Sequence, residues 1–250
     1  MRLFRRRWWL VPVVLLPVVA LAGMVAWATV IPAPMDEALE ALRTSSDVAV
    51  ETEPWLVFRP SGPPPEVGLI FYPGARVDYR AYAPAARAIA DAGYLVVVPP
   101  MPLNLAVLAP DRAKDIQAAF PEVNRWAVGG HSLGGAMAAR FAAQNPELVQ
   151  GLVLWGAYPP SSSSLRDASL EVVSVSGSQD GLATPDKIRA SRDLLPAETR
   201  WVEIAGANHA QFGWYGSQSG DNDATVTRSV QQDQAVAATV ALLRSLEEAP

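Results

Sequence analysis

Residues 126–136 read WAVGGHSLGGA and join an apolar run to a segment of helical character. They contain the pattern G-x-S-x-G as Gly130, Ser132 and Gly134. A serine on a sharp turn between a strand and a helix needs small neighbours, because larger side chains would collide there. The backbone N–H of Leu133 would then lie at a helix N-terminus, where an unpaired donor stabilises negative charge. We therefore predict that Ser132 is a nucleophile and that Leu133 supplies one oxyanion donor, the alternative being a glycine-rich turn that holds a serine by chance.

A serine hydroxyl needs a neighbouring base near neutral pH, and the chain has only two histidines, His131 and His209. His131 directly precedes Ser132, so its side chain is expected to point away from the serine hydroxyl. His209 follows the apolar run Trp201–Ile204, in a loop at the end of a predicted strand. His209 is therefore the predicted base.

The carboxylate that orients the base is expected between serine and histidine in the chain, at the end of another strand. Asp180 meets both conditions, because it follows the apolar run Leu170–Val175 in a short loop. Asp167 precedes that run and Asp186 falls inside the next predicted helix. Asp180 is the predicted acid, with Asp167, Asp186 and Asp221 as alternatives.

A second oxyanion donor is expected in the loop after the apolar run Val67–Tyr72. The loop begins with Pro73 and Gly74, and the N–H of Ala75 is the donor that its position favours.

The substrate pocket is expected to be open and to include Tyr72, Trp214 and Tyr215. Residues 156–169 carry two prolines and four consecutive serines, so they are a poor helix former and too short for an apolar lid. The pocket should therefore suit short acyl groups.

Short apolar runs alternate with helical segments along most of the chain, which predicts a mostly parallel central sheet with helices on both faces. The predicted strands are Val67–Tyr72, Tyr94–Val98, Trp126–Val128, Leu152–Trp155, Leu170–Val175 and Trp201–Ile204, with one or two more in Val48–Arg59. The predicted helices are Met35–Arg43, Tyr79–Ala92, Asp111–Phe120, Ser132–Gln144, Pro185–Leu194 and Ser229–Leu246. These elements indicate one α/β domain over residues 35–250.

Residues 8–31 form an uncharged apolar segment that is long enough to cross a hydrocarbon core of about 30 Å as a helix. Arg5, Arg6 and Arg7 precede it and favour a cytoplasmic N-terminus. Residues 1–34 are therefore predicted to be a cytoplasmic stub and a single-pass membrane anchor, with the domain outside the cytoplasm. The alternative is a signal peptide cleaved near Ala22, which would leave a secreted protein.

Composition excludes several classes of site. Setting aside the four arginines ahead of the apolar segment leaves sixteen basic residues against 25 acidic ones, which disfavours binding to nucleic acid. The absence of cysteine excludes disulfides and thiolate-ligated metals, and two histidines cannot form a histidine-rich metal site. No metal and no organic cofactor is expected.

The chain resembles the α/β-hydrolase superfamily from about Val48 to the C-terminus, and more closely its dienelactone-hydrolase-like branch, α/β-hydrolase family 5. The resemblance rests on GHSLGG at residues 130–135, YPG at 72–74, PLNLAV at 102–107 and NHAQFG at 208–213. It implies the α/β-hydrolase fold, the triad Ser132, Asp180 and His209, and hydrolase chemistry. Dienelactone hydrolases themselves use a cysteine nucleophile, which this chain lacks, so their activity is not implied.

Together these features lead us to expect a serine hydrolase that cleaves a small carboxylic ester through an acyl-enzyme. Two alternatives remain open, since a fold does not fix a function. One is an acyltransferase, and the other is a non-catalytic binding module of the cell envelope. The sequence leaves the oligomeric state open.

Overall fold

The computed structural model of the chain describes residues 16, 19, 20, 23 and 25–248. Residues 25–29 are helical. Most of the anchor expected over residues 8–31, and all of the arginines ahead of it, lie outside the described residues. Within the part that is described, no helix has both the length and the apolar character needed to cross a membrane.

Eight strands of the described chain form one sheet in the order β1-β2-β4-β3-β5-β6-β7-β8. Their bounds are β1 Val48–Glu51, β2 Leu56–Pro60, β3 Val67–Tyr72, β4 Leu95–Val98, β5 Arg125–His131, β6 Gly151–Trp155, β7 Glu171–Gly177 and β8 Arg200–Ile204. The pairs β1–β2 and β2–β4 are antiparallel, and all other neighbours are parallel. The mostly parallel sheet predicted from the apolar runs is confirmed.

Side chains of the central strands alternate between two cores, one on each face of the sheet. In β3, Leu69 and Phe71 belong to one core, whereas Ile70 and Tyr72 belong to the other. Burial on both faces explains why these strands are apolar throughout instead of alternating with polar residues.

After the helical residues 25–29, the α-helices have the bounds α1 Asp36–Glu40, α2 Ala83–Asp91, α3 Arg112–Ala119, α4 Leu133–Gln144, α5 Pro185–Ala190 and α6 Arg228–Glu248. Apolar residues of α2 and α6 pack on one face of the sheet, and those of α3 and α4 pack on the other. The helix predicted over Tyr79–Ala92 instead begins with a 3-10 turn at Tyr79–Tyr82. Pro84 accounts for this break, because a proline has no N–H to donate to the carbonyl four residues earlier and is favoured in the first turn of a helix.

The parallel strands end at one edge of the sheet and bring distant loops together there. Across that edge, Tyr72 pairs with Gly130, His131 with Trp155, and Gly177 with Ile204. The loops after β3, β5, β6, β7 and β8 therefore meet at the carboxyl edge, where open α/β sheets bind their ligands.

Candidate active site

Ser132 lies on a strained turn between β5 and α4. Its backbone has φ 53° and ψ −123°, a left-handed conformation that costs a residue with a side chain about 1–3 kcal/mol. A Cβ on Gly130 would lie 2.5 Å from the Tyr72 carbonyl oxygen, and one on Gly134 would lie 2.2 Å from the same atom. Both glycines are therefore required by the close approach of the β3 loop. Leu133 is the first residue of α4, so the helix itself provides no acceptor for its N–H.

The structure brings Asp180 and His209 together in a buried pair. His209 Nδ1 lies 2.8 Å from Asp180 Oδ2, and both residues are 1% exposed. The other carboxylate oxygen, Oδ1, accepts hydrogen bonds from Leu182 N at 2.8 Å and Ala183 N at 2.7 Å. A carboxylate held in this way keeps the ring proton on Nδ1. Nε2 of His209, buried and without a hydrogen-bond partner among the described residues, is then the proton-accepting nitrogen.

Ser132 and His209 line the same cavity, which has a volume of about 290 Å³. Its other walls are Leu133, Ala136, Gly156, Ala157, Tyr158, Leu182 and Ala183. The connection from β6 to β7 contains turns and no helix, so no helical lid covers this cavity from that side. The site is thus a small, largely apolar pocket with a serine and a histidine in its wall.

Gly156 lies at the end of β6 beside the buried pair. Its φ is +48°, and a Cβ on it would lie 3.0 Å from Asp180 Oδ2 and 3.1 Å from His209 Nδ1. A side chain at this position would press on the hydrogen bond between acid and base. Glycine at the carboxyl end of a buried strand is the sequence signal for such a close approach, although the contact of Gly156 with the buried pair was not predicted.

His131 is buried against the predicted base and is part of a separate hydrogen-bond chain. Its ring centroid is 4.4 Å from that of His209, and its Nδ1 lies 2.9 Å from the Tyr82 hydroxyl. That hydroxyl accepts a hydrogen bond from Gly74 N at 3.0 Å, so it donates its own proton to His131. Burial holds the pKa of His131 well below its usual value, and the neighbouring His209 acts in the same direction. His131 is therefore neutral and structural.

The hydrogen bonds of Tyr82 fix the loop that carries the predicted second oxyanion donor. Gly74 N is occupied by Tyr82, whereas Ala75 N has no hydrogen-bond partner in the described part of the protein. Burial also raises the pKa of Tyr82, which keeps its hydroxyl protonated. Tyr82 was not identified from the sequence, since a buried tyrosine in a helical pattern is an ordinary core residue.

Ala75 lines a second cavity of about 280 Å³, bounded partly by the N-terminal segment. Its remaining walls are Trp27, Pro32, Arg76, Val77, Tyr215, Ser217, Gln218 and Ser219. The Arg76 guanidinium stacks on the Trp27 ring at 4.5 Å and donates to the Val30 carbonyl at 2.9 Å. The segment that leads out of the predicted anchor therefore packs against the loop of the predicted oxyanion donor.

The PLNLAV stretch supports the same loop. Asn104 accepts a hydrogen bond from Arg76 N at 2.9 Å through its carbonyl, and its side chain donates to the Ala28 carbonyl at 3.3 Å. Leu103, Asn104 and Arg76 all have left-handed backbone, with φ of 51°, 55° and 58°. These residues join the β3 loop to the N-terminal segment.

The structure places the three predicted pocket residues outside the walls of the cavity that holds Ser132. Tyr72 is fully buried in the core, where its hydroxyl donates to Pro110 O at 2.9 Å and accepts from Ala113 N at 2.8 Å. Trp214 lines neither cavity and stacks with Arg228 at 5.6 Å. Tyr215 lines the second cavity and not the one that holds Ser132. The first cavity is walled by Tyr158, Leu182 and Ala183 in their place.

Other acids that the sequence left open lie elsewhere. Asp186 pairs with Arg189 on exposed α5, and no hydrogen bond joins Asp167 to the histidine among the described residues. Asp221 contacts the backbone of His209 and not its ring. No group of three or more potential metal-ligating side chains occurs within the described ranges.

Comparison with known proteins agrees with this architecture. The model of the alpha/beta hydrolase family matches residues 68–233. A comparison with curated proteins found no match. The esterase domain of a Rhodothermus marinus protein is 14% identical with a TM-score of 0.59, and the match covers 76% of this chain and 92% of that domain. A predicted CIB-like hydrolase from Thermoplasma acidophilum is 16% identical with a TM-score of 0.58, and the match covers 79% of this chain and 99% of that one. Est1E from Butyrivibrio proteoclasticus is 12% identical with a TM-score of 0.53, covering 80% and 100%. These structures share the fold.

Proposed function

The chain belongs to the alpha/beta hydrolase family, and from that premise we propose that it is a serine hydrolase that cleaves small carboxylic esters. One observation carries the proposal. His209, hydrogen-bonded to buried Asp180, lines the same cavity as Ser132, which lies on a strained strand-to-helix turn. A module that only binds a ligand has no physical need for a nucleophile, a base and a hydrogen-bonded acid in this arrangement.

The proposed reaction has two steps. In the first, His209 Nε2 takes the proton of Ser132 as Oγ bonds to the ester carbonyl carbon, and the same proton then passes to the departing alcohol. In the second, water attacks the acyl-enzyme, His209 again accepts and returns the proton, and the carboxylic acid leaves. Asp180 holds the Nδ1 proton and stabilises the imidazolium that forms in each step.

Negative charge on the carbonyl oxygen would be stabilised by two backbone donors. The N–H of Leu133 lies at the first turn of α4, where the helix dipole adds to it. The N–H of Ala75 is proposed as the second donor, because Gly74 N is already bound by Tyr82 and Ala75 N has no partner among the described residues, although Ala75 lines the second cavity and not the one that holds Ser132. Removal of one such donor in other enzymes costs about 10²–10³ in kcat.

The size of the cavity favours short acyl groups. A volume of about 290 Å³ is at the low end of ordinary ligand sites, and no helical cap extends it over the β6–β7 connection. Since each additional buried methylene contributes about 0.8 kcal/mol only where apolar surface receives it, long chains gain little here. We expect kcat/KM on p-nitrophenyl esters to be highest for short acyl chains. A steady rise to long chains would contradict the proposed substrate class.

A serine-directed fluorophosphonate probe tests the proposed chemistry directly. The wild-type protein should be labelled, and both labelling and ester hydrolysis should be lost in Ser132→Ala. Ser162→Ala makes the same change at an exposed serine and should behave as wild type. Absence of labelling in the wild type, or equal labelling of both variants, would favour the non-catalytic binding module.

We also propose that residues 8–31 anchor the protein in the membrane, with the domain on the extracytoplasmic side. The apolar length of the segment and the arginines before it support this arrangement. Intact cells with a permeable outer layer should lose the domain to added protease. N-terminal sequencing of the mature chain separates an anchor from a signal peptide cleaved near Ala22. Complete protection until the inner membrane is lysed would exclude both forms.

A further inference from the structure

Asp221 joins the loop of the proposed acid to the loop of the proposed base. It lies between the 3-10 turn Ala210–Phe212 and α6. Its Oδ1 accepts hydrogen bonds from Gly181 N at 3.0 Å and from His209 N at 3.2 Å, and its Oδ2 accepts one from Ala210 N at 2.8 Å. One carboxylate thus holds the residue after the acid, the base itself and the residue after the base.

The hydrogen bonds to the Asp221 carboxylate come from backbone N–H groups. A fourth hydrogen bond comes from Asn222 N at 3.0 Å, and no salt bridge to Asp221 occurs among the described residues. A half-buried carboxylate that accepts several N–H bonds is satisfied without a cation. Its hydrogen bonds leave the His209 ring free to pair with Asp180.

The close approach of the Asp221 loop depends on glycine. A Cβ on Gly181 would lie 2.5 Å from Gly220 O and 3.0 Å from Asn222 N. Gly220 itself has φ +86°, which favours glycine. These two residues allow the loop to lie directly against the turn that carries Asp180.

Other hydrogen bonds join the two catalytic loops further from the reacting groups. Gln179 N donates to Ala207 O at 2.8 Å, and Gly206 N donates to Ser178 Oγ at 2.8 Å. Of these links between the two loops, the one through Asp221 includes a hydrogen bond to the backbone of His209 itself. The distance between the Asp180 carboxylate and the His209 ring therefore depends on Asp221 more directly than on these bonds.

We propose that Asp221 is a positioning residue that sets the separation of Asp180 and His209, an inference that rests on the proposed hydrolase function. A displacement of about 1 Å at a reacting group can reduce the rate of catalysis about 10²-fold. Asp221→Ala should therefore lower kcat by about 10- to 100-fold while KM changes less than about threefold. Asp221→Asn keeps one acceptor oxygen for its backbone donors and should retain more activity than Asp221→Ala.

The experiment compares Asp221→Ala and Asp221→Asn with Asp223→Ala. Asp223 is an exposed acid in the same loop, so its replacement removes the same charge without removing the contacts to the catalytic loops. Steady-state kinetics on a short p-nitrophenyl ester give kcat and KM, and circular dichroism verifies the fold. If Asp221→Ala does not fold, Asp221→Asn still loses one acceptor oxygen and should show a smaller fall in kcat relative to Asp223→Ala.

Proton NMR of the His209 Nδ1–H provides a readout that does not depend on turnover. Hydrogen bonding to Asp180 should place this proton far downfield of the amide region in the wild type and in Asp223→Ala. The signal should be lost or shifted in a folded Asp221 variant. An unchanged signal, an unchanged kcat, or a rise in KM alone would overturn the positioning role. Failure of the wild type to hydrolyse any ester while the signal responds to Asp221 would instead refute the proposed function.

Discussion

Replacement of Tyr82 by phenylalanine tests the buried hydrogen bonds that connect the β3 loop to His131. The substitution removes one oxygen, which accepts from Gly74 N at 3.0 Å and donates to His131 Nδ1 at 2.9 Å. Tyr82 and His131 are at most 1% exposed, so water cannot easily replace the hydroxyl. A buried donor or acceptor left unpaired costs about 1–3 kcal/mol, and here one of each is left.

The expected loss of stability is therefore at least about 2 kcal/mol. For a chain of this size that corresponds to a fall in Tm of roughly 4–8 °C. Urea unfolding and calorimetry of the purified protein measure both quantities. Tyr94→Phe is the matched control, because Tyr94 has an equally buried ring but a hydroxyl that reaches Glu247 at 3.2 Å in a partly exposed position. The control should lose no more than about 1 kcal/mol.

Activity should fall in Tyr82→Phe as well, because Gly74 precedes the proposed donor Ala75. Loss of a whole oxyanion donor costs about 10²–10³ in kcat, and displacement of Ala75 should cost part of that. Equal stability of Tyr82→Phe and Tyr94→Phe would show that the hydrogen bonds of the Tyr82 hydroxyl do not stabilise the folded protein. A loss of stability with unchanged kcat would show that Ala75 is not an oxyanion donor.

Three further predictions concern single positions. Because the pKa of His131 is lowered in the folded protein, the unfolded chain binds a proton more readily. The contribution of His131 to the free energy of unfolding should therefore be fully present above a pH of about 6.5 and fall by up to about 1.4 kcal/mol per pH unit below it. Unfolding of His131→Gln over the same pH range should lack this component, and an identical pH slope would contradict the assignment. Gly156→Ala should reduce kcat at least about tenfold, whereas Gly216→Ala, with φ +92° and nothing within 4 Å of its Cβ, should show only the backbone cost of about 1–2 kcal/mol in urea unfolding. Equal kcat losses in the two variants would mean that contact with the buried pair is unimportant. Asn104→Gly should be more stable than Asn104→Ala by about 1 kcal/mol, because the left-handed backbone at φ 55° favours glycine; calorimetry giving the reverse order would refute this.

The local features of the site could be predicted from sequence because their signals are local. The glycines around Ser132 follow from steric limits on one turn, and the apolar runs before Asp180 and His209 place both residues after strands. β5 extends to His131, beyond its predicted end at Val128. Gly129 and Gly130 continue the strand, and they are glycines because a Cβ at either position would collide with neighbouring backbone.

Features that depend on pairing between distant residues were not predictable in this way. Tyr72 is at the end of a strand that leads into the site, yet its side chain lies in the core beneath α3 and α4 and bonds to Pro110 and to the first turn of α3. The contacts of Tyr82 with His131 and of Asp221 with Gly181 span tens of residues and have no local sequence pattern. Only the packing of the sheet brings these groups together.

The position of β8 at the edge of the sheet, together with the packing of α6 on β7 and β3, affects how the protein matures during synthesis. The ribosome releases Ser132 well before His209, and α6 emerges after both. Parallel strand pairs form slowly because they join residues far apart in the chain. A nascent or C-terminally truncated chain can therefore display the serine turn without a base beside it. Under the proposed mechanism, such a chain lacks the group that activates Ser132, so ester hydrolysis should begin only after β8 and the His209 loop have joined the sheet.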